Sequence, residues 1–547
     1  MKYTLYNITC ACALAAPLLT ACGDFLEPEE QSSYVPRDAT SMNELLLGEA
    51  YPLYSGSYIN VWMSLLDDDV QAAPYQKPHA TYDETAYLAA YSWQPQMFTL
   101  YDEAGLSTSA VSTYRHLYSY IKGCNAVLDY MDDATGDALY KEYVEAQART
   151  LRAFYYLQLV CTYATPYNVD PEALGIPLKL TSQVEEETLH RSTVAQCYDA
   201  IVADLTRAEE LFSAQTDAQY RWAANYRASL PMAQLLLART YLYMEHWEQA
   251  AAEALRLMEN SDFHLYNLNG IISVLDYSVP GNVSSAFPLM TNMIRYANPE
   301  VIWLWGSVSD VVSWAYSNVT DTDGTLKHAY FMASDNLMQS YEDADLRRHR
   351  YIARSWYQLP DAEPRTSSDE DAFYDTHMPM AIGKVGMGQT ATSYYTAATG
   401  SGYFGRALRL SEAYLTYIEA EAMLWQQGRS ECGDLAVSAL NRFRLARISQ
   451  EDYVALSFAD AAQLVTFVRQ ERRREFCFEG LRWFDLRRWG MPRLEHVWYP
   501  DADTRQVYVL EEGDPTYVLP LPEDALGANV NLQQNPLGTS PRVAHNL

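Results

Sequence analysis

Glu471 and Glu475 stand four residues apart in the run Glu471-Arg-Arg-Arg-Glu-Phe476, so on a helix both carboxylates face one side, beside Arg472 and Arg474. Arg482 and Asp485 follow closely. Two chemistries fit such a cluster. It could bind an anionic ligand, or its acids and bases could neutralise one another and lock the last helix pair around the turn at Gly480. The alternation of sign favours the second. Paired carboxylates could also hydrolyse a glycosidic bond, which needs two of them roughly 5–9.5 Å apart with one pKa raised. Among 70 acidic residues the sequence marks no such pair.

Other catalytic patterns are missing. There is no GxSxG elbow, no HExxH and no P-loop, and the ten histidines are dispersed without metal-ligand spacing. Gly383-Lys-Val-Gly-Met-Gly388 lacks the order of a dinucleotide fingerprint and reads as a flexible loop. Asp321-Thr-Asp-Gly324 is similar to the start of a calcium loop, but Leu326 stands where the sixth position needs glycine and Met332 where the twelfth needs glutamate. Asp67-Asp-Asp69 reads as a solvated turn. The expectation is a protein that binds, without catalysis, metal or cofactor.

The start of the chain gives its compartment. Lys2 precedes an apolar run from Ile8 to Leu19, and Leu19-Thr-Ala-Cys22 closes it with small residues before a cysteine. Residues 1–21 therefore read as a signal peptide and Cys22 as a lipidation site, with an acidic, proline-containing tether over 22–45. No later stretch reaches the ~18 apolar residues of a membrane span, so the expectation is anchorage without crossing. Of eight cysteines, five lie beyond Cys22: Cys124, Cys161, Cys197, Cys432 and Cys477. An odd number on helical patterns is no disulfide framework. A net charge of −31 argues against binding to nucleic acid, which needs a basic face.

Helices must position whatever binds. Apolar residues recur at spacings of three and four over 106–131 and 139–164, and again from a plausible N-cap at Ser192 through Leu211. Residues 230–260 carry Ala238, Tyr241 and Ala250 at the small and aromatic positions of a tetratricopeptide (TPR) repeat, with His246-Trp247 in the connecting turn. A second pair spans 407–447, turning at Gly428. Periodicity fades over 263–405, where Gly, Ser, Thr, Asn and aromatics accumulate. The fold class is thus all-α: TPR-like helix pairs forming a superhelical scaffold with a long irregular, aromatic-rich insertion. The regions are 46–262, the insertion 263–405 as candidate ligand-binding region, and 406–547.

Six motifs resemble the SusD/RagB family in order: Glu145-Ala-Gln-Ala-Arg-Thr-Leu-Arg-Ala-Phe-Tyr-Tyr156, Arg191 to Asp199, Arg409-Leu-Ser-Glu-Ala-Tyr-Leu415, Leu440-Asn-Arg-Phe-Arg444, the run from Glu471 to Gly490, and Leu519-Pro-Leu-Pro-Glu523 with Gln534-Asn-Pro536. The resemblance implies an outward-facing outer-membrane lipoprotein that captures oligosaccharide for a SusC-like TonB-dependent transporter. A peptide cargo, as in RagB-type receptors, and a TPR scaffold with no small ligand remain alternatives. The resemblance puts ligand contacts at roughly 60–100 and 275–330. Trp303 and Trp305, in the apolar run Val301-Ile-Trp-Leu-Trp305, read as core. Trp93, beside Ser92 and Gln94, and Trp314, near Tyr316 and Asn318, sit in polar settings where an exposed ring needs a purpose. These four are the candidate ligand-binding residues, Tyr316 as a second face and Asn318 as a hydroxyl reader; burial of either tryptophan is the competing reading.

Overall fold

The computed structural model describes residues 36–52, 59–60, 62–73, 84–103, 107–183, 189–217, 220, 226–270, 293–308, 316–320, 326–329, 331–352, 354–358, 377–379, 384, 387–390, 393–397, 404–500, 503–538 and 540–546.

Asp38 caps the first described helix, α1 (Ala39–Glu49), accepting from the Thr40 and Ser41 amides at 3.0 and 2.9 Å. It begins inside the stretch expected to be tether, because Ala39, Met42 and Leu46 bury one face against the body. Helix α2 (Glu84–Tyr91) is short. Then come the long helices α3 (Ser107–Tyr130), α4 (Ala138–Tyr163) and α5 (Val194–Ser213). Thr193, not Ser192, caps α5, in a capping box with Gln196. Helices α6 (Leu230–Tyr243) and α7 (Trp247–Met258) form the TPR-like pair, Trp247 opening the second helix rather than lying in the turn. The later pair, α8 (Leu410–Gln426) and α9 (Ser430–Arg444), turns at Gly428, whose φ of +103° suits glycine. Helices α10 (Ala461–Phe476), α11 (Arg482–Arg488) and α12 (Glu523–Ala528) follow, and short helices Met97–Glu103, Asp335–Ser340 and Arg347–Arg350 lie between the longer ones.

From α3 to α9 each helix packs on the next in order, and α7 packs directly on α8. The chain between them is therefore an excursion from a continuous helical stack. Helix α4 lies in its centre, buried nearly all round from Tyr143 to Tyr163. The five described cysteines are free and buried.

The excursion is less irregular than its composition predicts. Strand Val301–Trp305 pairs antiparallel with Arg406–Arg409, and Phe331–Ala333 with Val70–Ala72. Trp303 is core as expected, its ring and that of Trp305 lying edge-on to Phe154. The excursion also supplies half of a buried charge network. Glu475 of α10 accepts from Arg409 at 2.9 Å, Arg447 at 2.9 Å, Arg347 at 3.3 Å and the Tyr351 hydroxyl at 3.0 Å. Arg347 also binds Glu471 at 2.7 Å and Asp345 at 2.7 Å, while Glu300 takes Arg447 at 2.6 Å and Arg409 at 3.1 Å. All these side chains are buried. Glu300, Asp345, Arg347 and Tyr351 thus belong to the framework.

Burial works to raise the Glu475 carboxyl, but Arg447, Arg409 and Arg347 outweigh it and hold the group well below the usual range. Glu471, likewise buried, is held at about 2 by Arg347, Arg474 and Arg444. Removing one member of such a cluster strands the others. Glu475→Ala is expected to cost ~3–5 kcal/mol, read as a large fall in the denaturation midpoint. Folded-state pKa values are depressed here, so this stability is complete above the unfolded carboxylate value of ~4.3. It is lost as pH falls toward about 2, the Glu471 value. Melting temperature recorded from pH 7 to pH 3 should decline in that acid window; a flat profile would contradict the assignment.

Candidate functional site

Trp93 offers no face to a ligand. It is fully buried, its indole Nε1–H donates to the Leu66 carbonyl at 2.9 Å, and its ring stacks on His496 at 4.0 Å. The polar neighbours that suggested a loop serve the end of α2. Ser92 donates to the Leu88 carbonyl at 2.6 Å and Gln94 to the Arg542 carbonyl at 3.1 Å. The expected exposed tryptophan at this position is thereby corrected to a core anchor, with φ of +52° locking the turn. Tyr316 and Asn318 lie on a strand, Tyr316–Thr320, paired antiparallel with Leu326–Ala329. Trp314 and Cys22 lie outside the described residues, as does Asp321-Thr-Asp-Gly324.

The charged motifs are internal. Asp67-Asp-Asp69 is no solvated turn: Asp68 takes Arg482 at 2.7 and 2.9 Å, and Asp69 takes Arg473 at 2.8 Å. Lys384, from the stretch read as a flexible glycine loop, is buried and donates to the Glu475 and Cys477 carbonyls and to Glu479. Its ammonium satisfies carbonyls at the end of α10. Glu253 is pushed up to about 7 by burial and by Glu209, yet both carboxylates share Arg256, Glu253 from within α7 and Glu209 from α5. Among the described residues, no group of three or more His, Cys, Asp or Glu could hold a metal ion.

Exposed aromatic surface is found elsewhere. Tyr226 and Tyr296 are 50% and 51% exposed, with ring centroids 6.4 Å apart and planes within 25° of parallel. Each stands beside a fixed segment. Tyr226 precedes Ala228, whose amide donates to the Tyr51 hydroxyl at 2.9 Å, and then α6 begins with Pro231 in its first turn. Tyr296 occupies the tip of a tight turn. Met293 and Ile294 are buried on one side of it, and on the other Glu300 is buried in the charge network. Asn298 closes the turn, donating to the Met293 carbonyl at 3.1 Å and accepting the Glu300 amide at 2.9 Å. Two flat, half-exposed rings on rigid supports can stack on the apolar face of a ring-shaped ligand while their hydroxyls meet its polar edge. Tyr296 lies in the region the family resemblance indicated. Tyr226 carries no local signal, since its partner is seventy residues away in the chain.

Two family models match the chain. "SusD family" covers residues 273–537, and "Starch-binding associating with outer membrane" covers residues 24–242. "SusD-like protein P2" of Formosa agariphila is 25% identical over 457 residues, 80% of this chain and 82% of that protein. A SusD superfamily structure from Bacteroides vulgatus has a TM-score of 0.63 at 20% identity, covering 91% of this chain and 99% of its own. A second B. vulgatus structure, described as a SusD-like carbohydrate binding protein, has a TM-score of 0.58 at 18% identity, covering 91% and 97%. With one model before the excursion and the other running through it to the C-terminal helices, and a mostly helical TPR-like body, the chain belongs to the SusD/RagB family.

Proposed function

We propose that this protein captures oligosaccharide at the cell surface and passes it to a SusC-like TonB-dependent transporter, held to the outer membrane by lipid on Cys22. The observation that carries the glycan reading is the exposed, near-parallel pair Tyr226 and Tyr296. Rings of this size in water cost little only when they are isolated, and a fixed pair presents a platform. Carbohydrate binding is also what the printed description of one structural relative states. In this reading Trp314, Tyr316 and Asn318 supply further contacts, while Trp93 acts only through the core.

Isothermal titration against a panel of neutral and acidic oligosaccharides and peptides tests the proposal. Tyr226→Ala and Tyr296→Ala are each expected to weaken glycan binding about tenfold, ~1.4 kcal/mol, with melting temperature unchanged. Trp93→Ala should do the reverse, lowering stability by ~3–5 kcal/mol as large core truncations do. Binding of peptides alone, or full glycan affinity in a folded Tyr226→Ala/Tyr296→Ala double variant, would overturn the reading.

Anchorage has its own measurement. Cells fed a fatty-acid probe should label the wild type and not Cys22→Ala, since durable attachment takes more than one acyl chain on that cysteine. Equal labelling of both proteins would remove lipidation at Cys22.

A further inference from the structure

Arg487 of α11 is buried with no carboxylate beside it. Its two Nη groups donate to the carbonyls of Cys161 and Ala164 at the end of α4. These contacts satisfy that helix end and set about half a negative charge against the guanidinium. The Arg487 Nε–H has no partner. The Tyr243 hydroxyl, at the end of α6, is buried and also has none. Both residues line one cavity of about 20 Å³, whose wall includes Tyr198, Phe484 and Arg488. A single water needs ~10–15 Å³, so the cavity admits one small guest. Half-buried Thr165 and Tyr167 line the side nearest solvent.

The charges around this cavity do not balance. Arg239 is bidentate on Glu412 and Arg488 on Glu419, while Arg472 takes Asp485 at 2.8 Å. With Arg487, four buried guanidiniums meet three buried carboxylates, and Arg487 forms no ion pair among the described residues. Half-buried Arg469 leans on Glu419 at 4.0 Å and adds a further positive charge. Arg239 and Arg472 both act on the Tyr243 hydroxyl, and the Nη groups of Arg472 lack partners. Burial brings Arg487 down to about 10, which leaves it charged at neutral pH. A buried charge is costly until an opposite charge meets it. Water in the cavity completes the hydrogen bonds but not the charge.

We propose that this cavity binds a small monovalent anion of halide size, held by the Arg487 Nε–H and the Tyr243 O–H. A space of about 20 Å³ has no room for sulfate or phosphate. The run from Glu471 to Gly490 is thus neutralised internally except at Arg487, where the counter-ion comes from solution. Seated between the ends of α4 and α6 and the side of α11, the anion links the stability of the fold to halide concentration.

The test follows the melting temperature of the full chain against sodium bromide, with sodium gluconate holding ionic strength constant, and maps anomalous scattering in crystals grown in bromide. Melting temperature should rise and saturate with bromide, and a bromide peak should lie between Arg487 and Tyr243. Tyr243→Phe removes one donor and keeps the ring. It should raise the half-saturating bromide concentration about tenfold, the cost of one hydrogen bond to a charged group. Arg487→Gln should abolish the dependence; because it also loosens the end of α4, Tyr243→Phe is the deciding variant. A cavity holding only water, equal melting temperatures in bromide and gluconate, or an unchanged half-saturation in Tyr243→Phe would each overturn the proposal.

Discussion

Three guanidinium groups, from Arg347, Arg409 and Arg447, converge on the carboxylate of Glu475. Burying charge costs several kcal/mol per ion unless geometry and hydrogen bonding repay it, and here every partner comes from a different segment. Arg347 belongs to the excursion, Arg409 to the strand leading into α8, Arg447 to the chain after α9, and Glu475 to α10. The network can form only when all four are in place. That makes it a check on assembly of the C-terminal half, and it ties the excursion to the scaffold through Arg347 and Glu300.

The same device recurs through the helical stack. Arg152 of α4 is bidentate on Asp204 of α5, Arg239 of α6 on Glu412 of α8, and Arg488 of α11 on Glu419 of α8. Planar forks between neighbouring helices fix their axial register more tightly than apolar contact, which tolerates sliding. Each is largely shielded from solvent, so salt screens it little.

Rigidity of this kind has a consequence at the surface. Tyr296 is only four residues from Glu300, whose carboxylate is gripped by Arg447 and Arg409. Its ring is thereby held where Tyr226 can meet it, without ordering either on arrival of a ligand. A platform prepared in advance loses less entropy on binding.

Local periodicity sufficed to place helices α3 to α9 and the Gly428 turn, because a helix declares itself within a few residues through spacing and capping. Alternation of acid and base in Glu471 to Glu475 likewise implied neutralisation, as found. What the sequence could not decide was which residues meet across long separations. Trp93 and Asp67 to Asp69 look exposed from their neighbours, yet Asp69 is paired with Arg473 across 404 residues, and Trp93 is covered by His496. Tyr226 and Tyr296 become a pair only because α6 and the turn at Asn298 bring them together. Burial and pairing are properties of the assembled surface, set by tertiary contacts that leave no mark on the residues flanking each side chain.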